Sequence, residues 1–212
     1  MPDLNKPVMT AVITGNHNFE VPGFINLFRS MDDIDFYSQS LENFTADLAR
    51  VGEQYEALVF YNMHAQLTEA ARAVYENLGE RQQGLVFLHH GMLAFRDWPL
   101  MAEITGVQVQ GFKYFHGETV RVEVADPAHP ITAGLKAWEM IDETYVLPDA
   151  EAPNHILLTT DNPNSVRTLA WMRIYKKARV FVLASGHGNE TYSNPNFRTV
   201  LHRGILWAAG RI

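Results

Sequence analysis

Apolar residues in this chain gather in short runs at 8–13, 57–61, 85–88 and 180–184, interrupted only by Thr10 and each closed by polar residues or glycine. Runs this short and this nearly continuous predict strands buried on both faces, as in parallel sheets covered by helices. Helical spacing fills the intervals between the first three runs. A helix is expected over 21–31, with Pro22 acceptable in its first turn. A short strand follows at 34–37 and a weak helix at 43–51. Thr68 caps a helix reaching about Gly79, whose Ala71, Val74, Tyr75 and Leu78 form one apolar stripe. The stretch 95–104 also reads as helix, but Pro99 makes it short, late-starting or kinked.

The pattern changes after Gly106. Segments 107–115 and 119–125 alternate and carry β-branched residues, which predicts the two strands of a hairpin. Segments 132–135 and 140–145 read as irregular, and strands are expected at 156–160, 168–172 and 179–184. The chain closes with a helix capped by Asn194, opened by Pro195 and ended at Gly210. Its inward stripe is Phe197, Val200, Leu201, Gly204 and Ala208. The whole predicts one α/β domain over 1–212, with a mainly parallel sheet, a β-rich edge insertion and a loose leader at 1–7.

Composition removes several classes of function. The net charge is −7 and no basic face is visible, so nucleic acid and anionic membrane are poor partners. No apolar run approaches the ~20 residues of a membrane span. The chain has no cysteine, which excludes disulfides, thiolate metal sites and a Cys nucleophile. The N-terminus lacks a basic region followed by an apolar core, so a cytoplasmic location is the default expectation. A signal peptide already removed would leave the same sequence.

Much of the candidate chemistry stands where apolar runs end, the place where open α/β sheets bind ligands. His89-His90-Gly91 follows 85–88, and a continuing strand would point the two rings to opposite sides, leaving one for a cleft. His17 follows the first run in Thr-Gly-Asn-His-Asn-Phe, where it either meets a ligand or caps the next helix. His187 lies between Gly186 and Gly188, which permit close backbone approach. Glu190 and Tyr192 follow it as an acid and a ring for sugar contacts, although an exposed loop charge is the commoner role for such a glutamate. Asp142 and Glu143 sit in apolar surroundings, as an acid or base in a cleft or as a hydrogen-bonded loop anchor. No GxGxxG, Walker, GxSxG or HExxH motif occurs, so nucleotide binding is rejected, a serine nucleophile is unsupported and the metal signal is weak.

Several of these residues belong to longer patterns. Leu-His-His-Gly after a buried strand, His-Pro-Ile-Thr-Ala-Gly-Leu at 129–135 and Asp-Glu-Thr-Tyr at 142–145 are three of them. Ser-Gly-His at 185–187, Asn-Pro-Asn-Phe-Arg and Arg-Gly-Ile-Leu-Trp-Ala-Ala-Gly-Arg at 203–211 complete the set. In this order they resemble the ThuA-like, trehalose-utilisation family. The resemblance implies a flavodoxin-like, class I glutamine amidotransferase-like three-layer sandwich. The elbow that holds a catalytic cysteine in amidotransferases is matched here by His89-His90-Gly91, so amidotransferase chemistry is not expected. The implied substrates are disaccharides, with 3-keto sugars suspected.

On this reading His89, Glu143 and His187 are the expected catalytic groups. His17, His90, Tyr145, Glu190 and Tyr192 are expected to bind substrate. No metal ligand is assigned and no cofactor is expected, with a divalent metal as the secondary option. A non-catalytic sugar-binding or regulatory module and a metal-dependent hydrolase are the alternatives. A homo-oligomer is expected from Trp98, Trp138 and the aromatic-rich segment 112–115 as adhesive surface.

Overall fold

The computed structural model describes residues 6–212, so the expected leader at 1–7 falls mostly outside the described residues. Nine strands form one sheet in the order β2-β1-β3-β4-β9-β8-β7-β5-β6. Strands β1 (Val8–Gly15), β2 (Ile34–Ser40), β3 (Ala57–Asn62), β4 (Gly84–Leu88) and β9 (Ala178–Leu183) pair in parallel. Strands β8 (Thr168–Tyr175), β7 (His155–Thr159), β5 (Lys113–Val124) and β6 (Trp138–Val146) continue the sheet in antiparallel pairing. The sheet is therefore mixed, where a mainly parallel one was expected.

Alternate residues of the parallel strands enter two cores. Val12, Val59, Val86 and Phe181 pack with α1 (Val21–Arg29) and α6 (Pro195–Ala208). Ile13, Leu58, Leu85 and Val182 pack with α2 (Leu41–Val51), α3 (Glu69–Glu76) and α4 (Pro99–Thr105). Helices on both faces explain why these strands are apolar at nearly every position. The expected caps form: Thr68 Oγ1 accepts from Ala71 N, and Asn194 Oδ1 accepts from Asn196 N and Phe197 N. Pro99 opens α4, so the expected helix over 95–104 starts late.

The strand-rich half differs from expectation in pairing. The two segments expected to form a hairpin are largely one strand, β5, interrupted by an irregularity between Phe115 and Glu118. Its partner is β6, which contains the stretch 140–145 expected to be irregular. Asp142, Glu143 and Thr144 are buried there and break the apolar alternation by which a strand is recognised. The expected adhesive surface is also partly core. Trp138 is buried, and Trp98 and Phe112 pack against the second core, while Tyr114 is 57% exposed. Among the described residues no helix is long and apolar enough to cross a membrane.

Candidate active site

The chain leaves β4 abruptly. His89 takes φ 50, a left-handed conformation uncommon outside glycine, and a short 3-10 turn runs from His89 to Leu93. Gly91 lets that turn press on β3, since a Cβ there would lie 2.0 Å from Phe60 O. Because the strand stops before the histidines, they do not alternate across the sheet as a continuing strand would require. Both are fully buried, and their rings lie 5.4 Å apart.

His89 Nδ1 donates to Ala184 O at 2.8 Å. The Tyr145 hydroxyl lies 2.8 Å from the other ring nitrogen, Nε2, within hydrogen-bond reach. The same Nε2 is 3.3 Å from Glu143 Oε1. His187 Nδ1 is 3.4 Å from that oxygen, outside hydrogen-bonding geometry and buried with no partner. His90 Nε2 donates to Tyr61 O at 3.0 Å, and its ring is stacked on His17 at 4.1 Å. His17 in turn lies 5.8 Å from His187 edge-on. The Nδ1 atoms of His17 and His90 are likewise buried without a partner.

Asp142 and Glu143 divide the two roles considered for them. Asp142 is the anchor: its carboxylate accepts from Gly186 N at 2.8 Å, His187 N at 3.0 Å and Thr191 Oγ1 at 2.7 Å. It thereby clamps the loop carrying His187 to β6. Tyr192 supports that loop from the other side, its hydroxyl donating to His187 O at 2.8 Å. The Tyr192 hydroxyl, expected to bind substrate, is thus engaged with the backbone. Tyr145, also expected to bind substrate, is buried against His89. Glu190 is exposed on the short helix Asn189–Tyr192.

One member of the cluster was not singled out in the sequence. His116 Nδ1 is 2.7 Å from Glu143 Oε2, and its ring lies 5.3 Å from that of His187. The detectable signal was His116-Gly117, standing in the gap between two strand-like segments.

The charges are uneven. Burial would raise the Glu143 carboxyl, but the hydrogen bond and charge of His89, with Tyr145 and His187, outweigh it and hold Glu143 at about 2. Burial, reinforced by His89, lowers His187 and His17 below the ordinary histidine value. Burial drives His90 down to about 2. An ionised carboxylate therefore faces a His187 ring that resists protonation, with His17 and His90 lowered behind it.

His89, Glu143 and His187 offer ligand atoms all within 4.8 Å of one another, a group able to hold a metal ion. Neutral imidazoles with one carboxylate are a donor set for a divalent metal, and the unpartnered Nδ1 of His187 fits that use. Tyr145 can donate to Glu143 instead of His89, which would release Nε2. The candidate ligands left unassigned by sequence spacing thus come from two strand ends, those of β4 and β9, and from the edge strand β6. A cavity of about 660 Å³ beside Asn154 and Arg173 and one of about 400 Å³ beside Val74 and Leu78 share no lining residue with this group.

The structure is similar to a ThuA-like protein from Parabacteroides merdae ATCC 43184, with TM-score 0.76 and 21% identity over 96% of this chain and 90% of that one. A ThuA-like protein from Bacteroides uniformis ATCC 8492 has TM-score 0.73 and 18% identity over 96% of this chain and 92% of that one. A cytoplasmic protein from Salmonella typhimurium has TM-score 0.69 and 12% identity over 93% of this chain and 98% of that one. At these identities the likeness is one of fold. No curated protein matches the chain. The family described as ThuA, trehalose utilisation, matches residues 15–208, nearly the whole chain, and the protein belongs to that family.

Proposed function

We propose that the protein is a carbohydrate-processing enzyme that cleaves an oxidised disaccharide, a 3-keto-glycoside, at the Glu143 centre. The observation that carries this reading is an ionised Glu143 carboxylate with His89 Nε2 at 3.3 Å and His187 Nδ1 at 3.4 Å from one of its oxygens, the His187 ring held below the ordinary histidine value by burial. His89, Glu143 and His187 would hold a divalent cation there. When bound, such a cation polarises a carbonyl oxygen, which acidifies the carbon beside it.

The remaining residues act on the sugar. His17 is only partly buried and lowered below the ordinary histidine value, so it can accept the proton from the carbon between the carbonyl and the anomeric carbon. The electron pair left there expels the glycosidic oxygen, which takes a proton from solvent. Water adding across the new double bond gives the second monosaccharide. His90 stacks on His17 and fixes its plane. Glu143 is too acidic to donate a proton near neutrality, which makes it a ligand and a counter-charge. Asp142, Tyr61 and Tyr192 keep the His187 loop in place. Glu190, at the exposed side, is left to reach sugar hydroxyls.

Purified protein should release monosaccharides from 3-keto-trehalose and lose that activity on complete chelation, recovering it with added zinc or manganese. Full turnover after verified metal removal would replace the cation with metal-free acid–base chemistry at His187. Binding without turnover would make the protein a sugar-binding module. Neither binding nor turnover of any keto-disaccharide would sink the proposal.

A further inference from the structure

The irregularity in β5 has a local cause and a local consequence. The register against β6 shifts between Phe115 and Glu118, and Gly117 takes φ 68. An extra residue at such a bulge re-aims its neighbour. The neighbour is His116, whose side chain is 63% exposed yet reaches a carboxylate that is only 4% exposed. It meets Glu143 on Oε2, the oxygen opposite the one shared by His89 and His187. At 2.7 Å the ring nitrogen is in close contact with an oxygen that can only accept, so a proton on His116 Nδ1 is the favourable arrangement, although the ring lies outside in-line hydrogen-bonding geometry.

We infer that His116 is a positioning residue. Its Nδ1, in contact with Oε2 at 2.7 Å, limits rotation of the carboxylate and so keeps Oε1 toward His89 and His187. This inference rests on the reading of that group as a cation site. A bond from outside a ligand carboxylate sets its orientation and basicity, and losing one commonly weakens metal binding about 10–100-fold. His116 is exposed and does not belong to either core, so the fold does not need it.

The test is a zinc titration of the full chain against a chromophoric chelator, comparing wild type, His116→Ala and His116→Asn. Asn places an amide N–H close to where the imidazole Nδ1–H was. The expected result is a 10–100-fold weaker zinc affinity in His116→Ala, an unchanged thermal midpoint, and recovery of most of the affinity in His116→Asn. Wild-type affinity in His116→Ala overturns the inference and leaves the cation reading standing. If wild type itself binds no zinc, the cation reading fails and nitrogen NMR of His116 decides the rest. A ring protonated at Nδ1 supports its hold on Glu143, whereas one protonated at Nε2 overturns it.

Discussion

The parallel half of the sheet and the antiparallel arm contribute opposite things to one site. From the ends of β1, β4 and β9 come His17, His89, His90 and His187, all held in turns, with burial lowering His17, His90 and His187 below the ordinary histidine value. From β5 and β6 come Glu143, Asp142, Tyr145 and His116. The first group follows from topology, because parallel strands deliver their carboxyl ends to one edge. The second does not. Its residues lie within the strands, and they reach the site because Asp142 ties β6 to the His187 loop and β5 pairs alongside β6. The acidic half of the chemistry is therefore an addition to a scaffold whose own strand ends supply the bases.

The sharpest way to break this arrangement is to remove the latch between the halves. Asp142→Ala would orphan the backbone N–H groups of Gly186 and His187, while the Thr191 hydroxyl keeps Ile141 O as acceptor. Unpaired buried donors of this kind cost about 1–3 kcal/mol each, so a loss of about 2–5 kcal/mol is expected after local relaxation. Urea denaturation measures it, and faster amide exchange at 185–188 locates it. A change under 1 kcal/mol would mean that the two halves are not joined through Asp142.

Removing one member of the parallel half tests chemistry without the fold. His187→Ala removes a cation ligand and should lower turnover of a keto-disaccharide by at least the ~10–100-fold that losing a ligand's outer partner costs. Its side chain is 30% exposed and enters neither core, so the denaturation midpoint should barely move. Equal loss of stability and activity would mark His187 as structural.

Legibility in the sequence divides along the same line. The parallel strands could be read because both their faces are covered, which leaves nearly unbroken apolar runs. Thr68 and Asn194 could be read because a capping side chain precedes an amphipathic stripe. β6 could not, since Asp142 and Glu143 are buried for reasons other than packing and a strand reading needs apolar residues there. Its pairing with β5 was hidden too, because the bulge at His116 split β5 into two apparent strands. His89 and His90 were found, but their orientation was not, since it depends on one left-handed residue.

The elbow itself offers a smaller perturbation. Gly91→Ala places a methyl 2.0 Å from Phe60 O, a backbone atom that cannot rotate away. Overpacking of this kind costs about 1–3 kcal/mol. Differential scanning calorimetry should show the lower midpoint, and the displaced turn should also weaken zinc binding through His89. Unaltered stability would mean the 3-10 turn yields without strain.

The smallest effect tests whether the parallel half truly holds its imidazoles uncharged. His90 is fully buried and sits at about 2, against an ordinary value of 6.5. Its ring donates Nε2–H to Tyr61 O and stacks on His17, with no carboxylate in contact with it. Below pH 6.5 the unfolded chain takes up a proton at His90 that the folded chain refuses. The unfolded state then binds more protons, so stability falls as the pH drops, at about 1.4 kcal/mol per pH unit for this one group. The window opens near pH 6.5, well above the range where carboxylates protonate. Denaturant titrations at pH 7, 6 and 5 should therefore show a declining free energy of unfolding, and His90→Gln should flatten the slope by about one proton's worth. A slope unchanged by that substitution would mean that His90 is protonated in the folded protein. The division into basic strand ends kept neutral and an acidic arm kept ionised would then fail at its most buried residue.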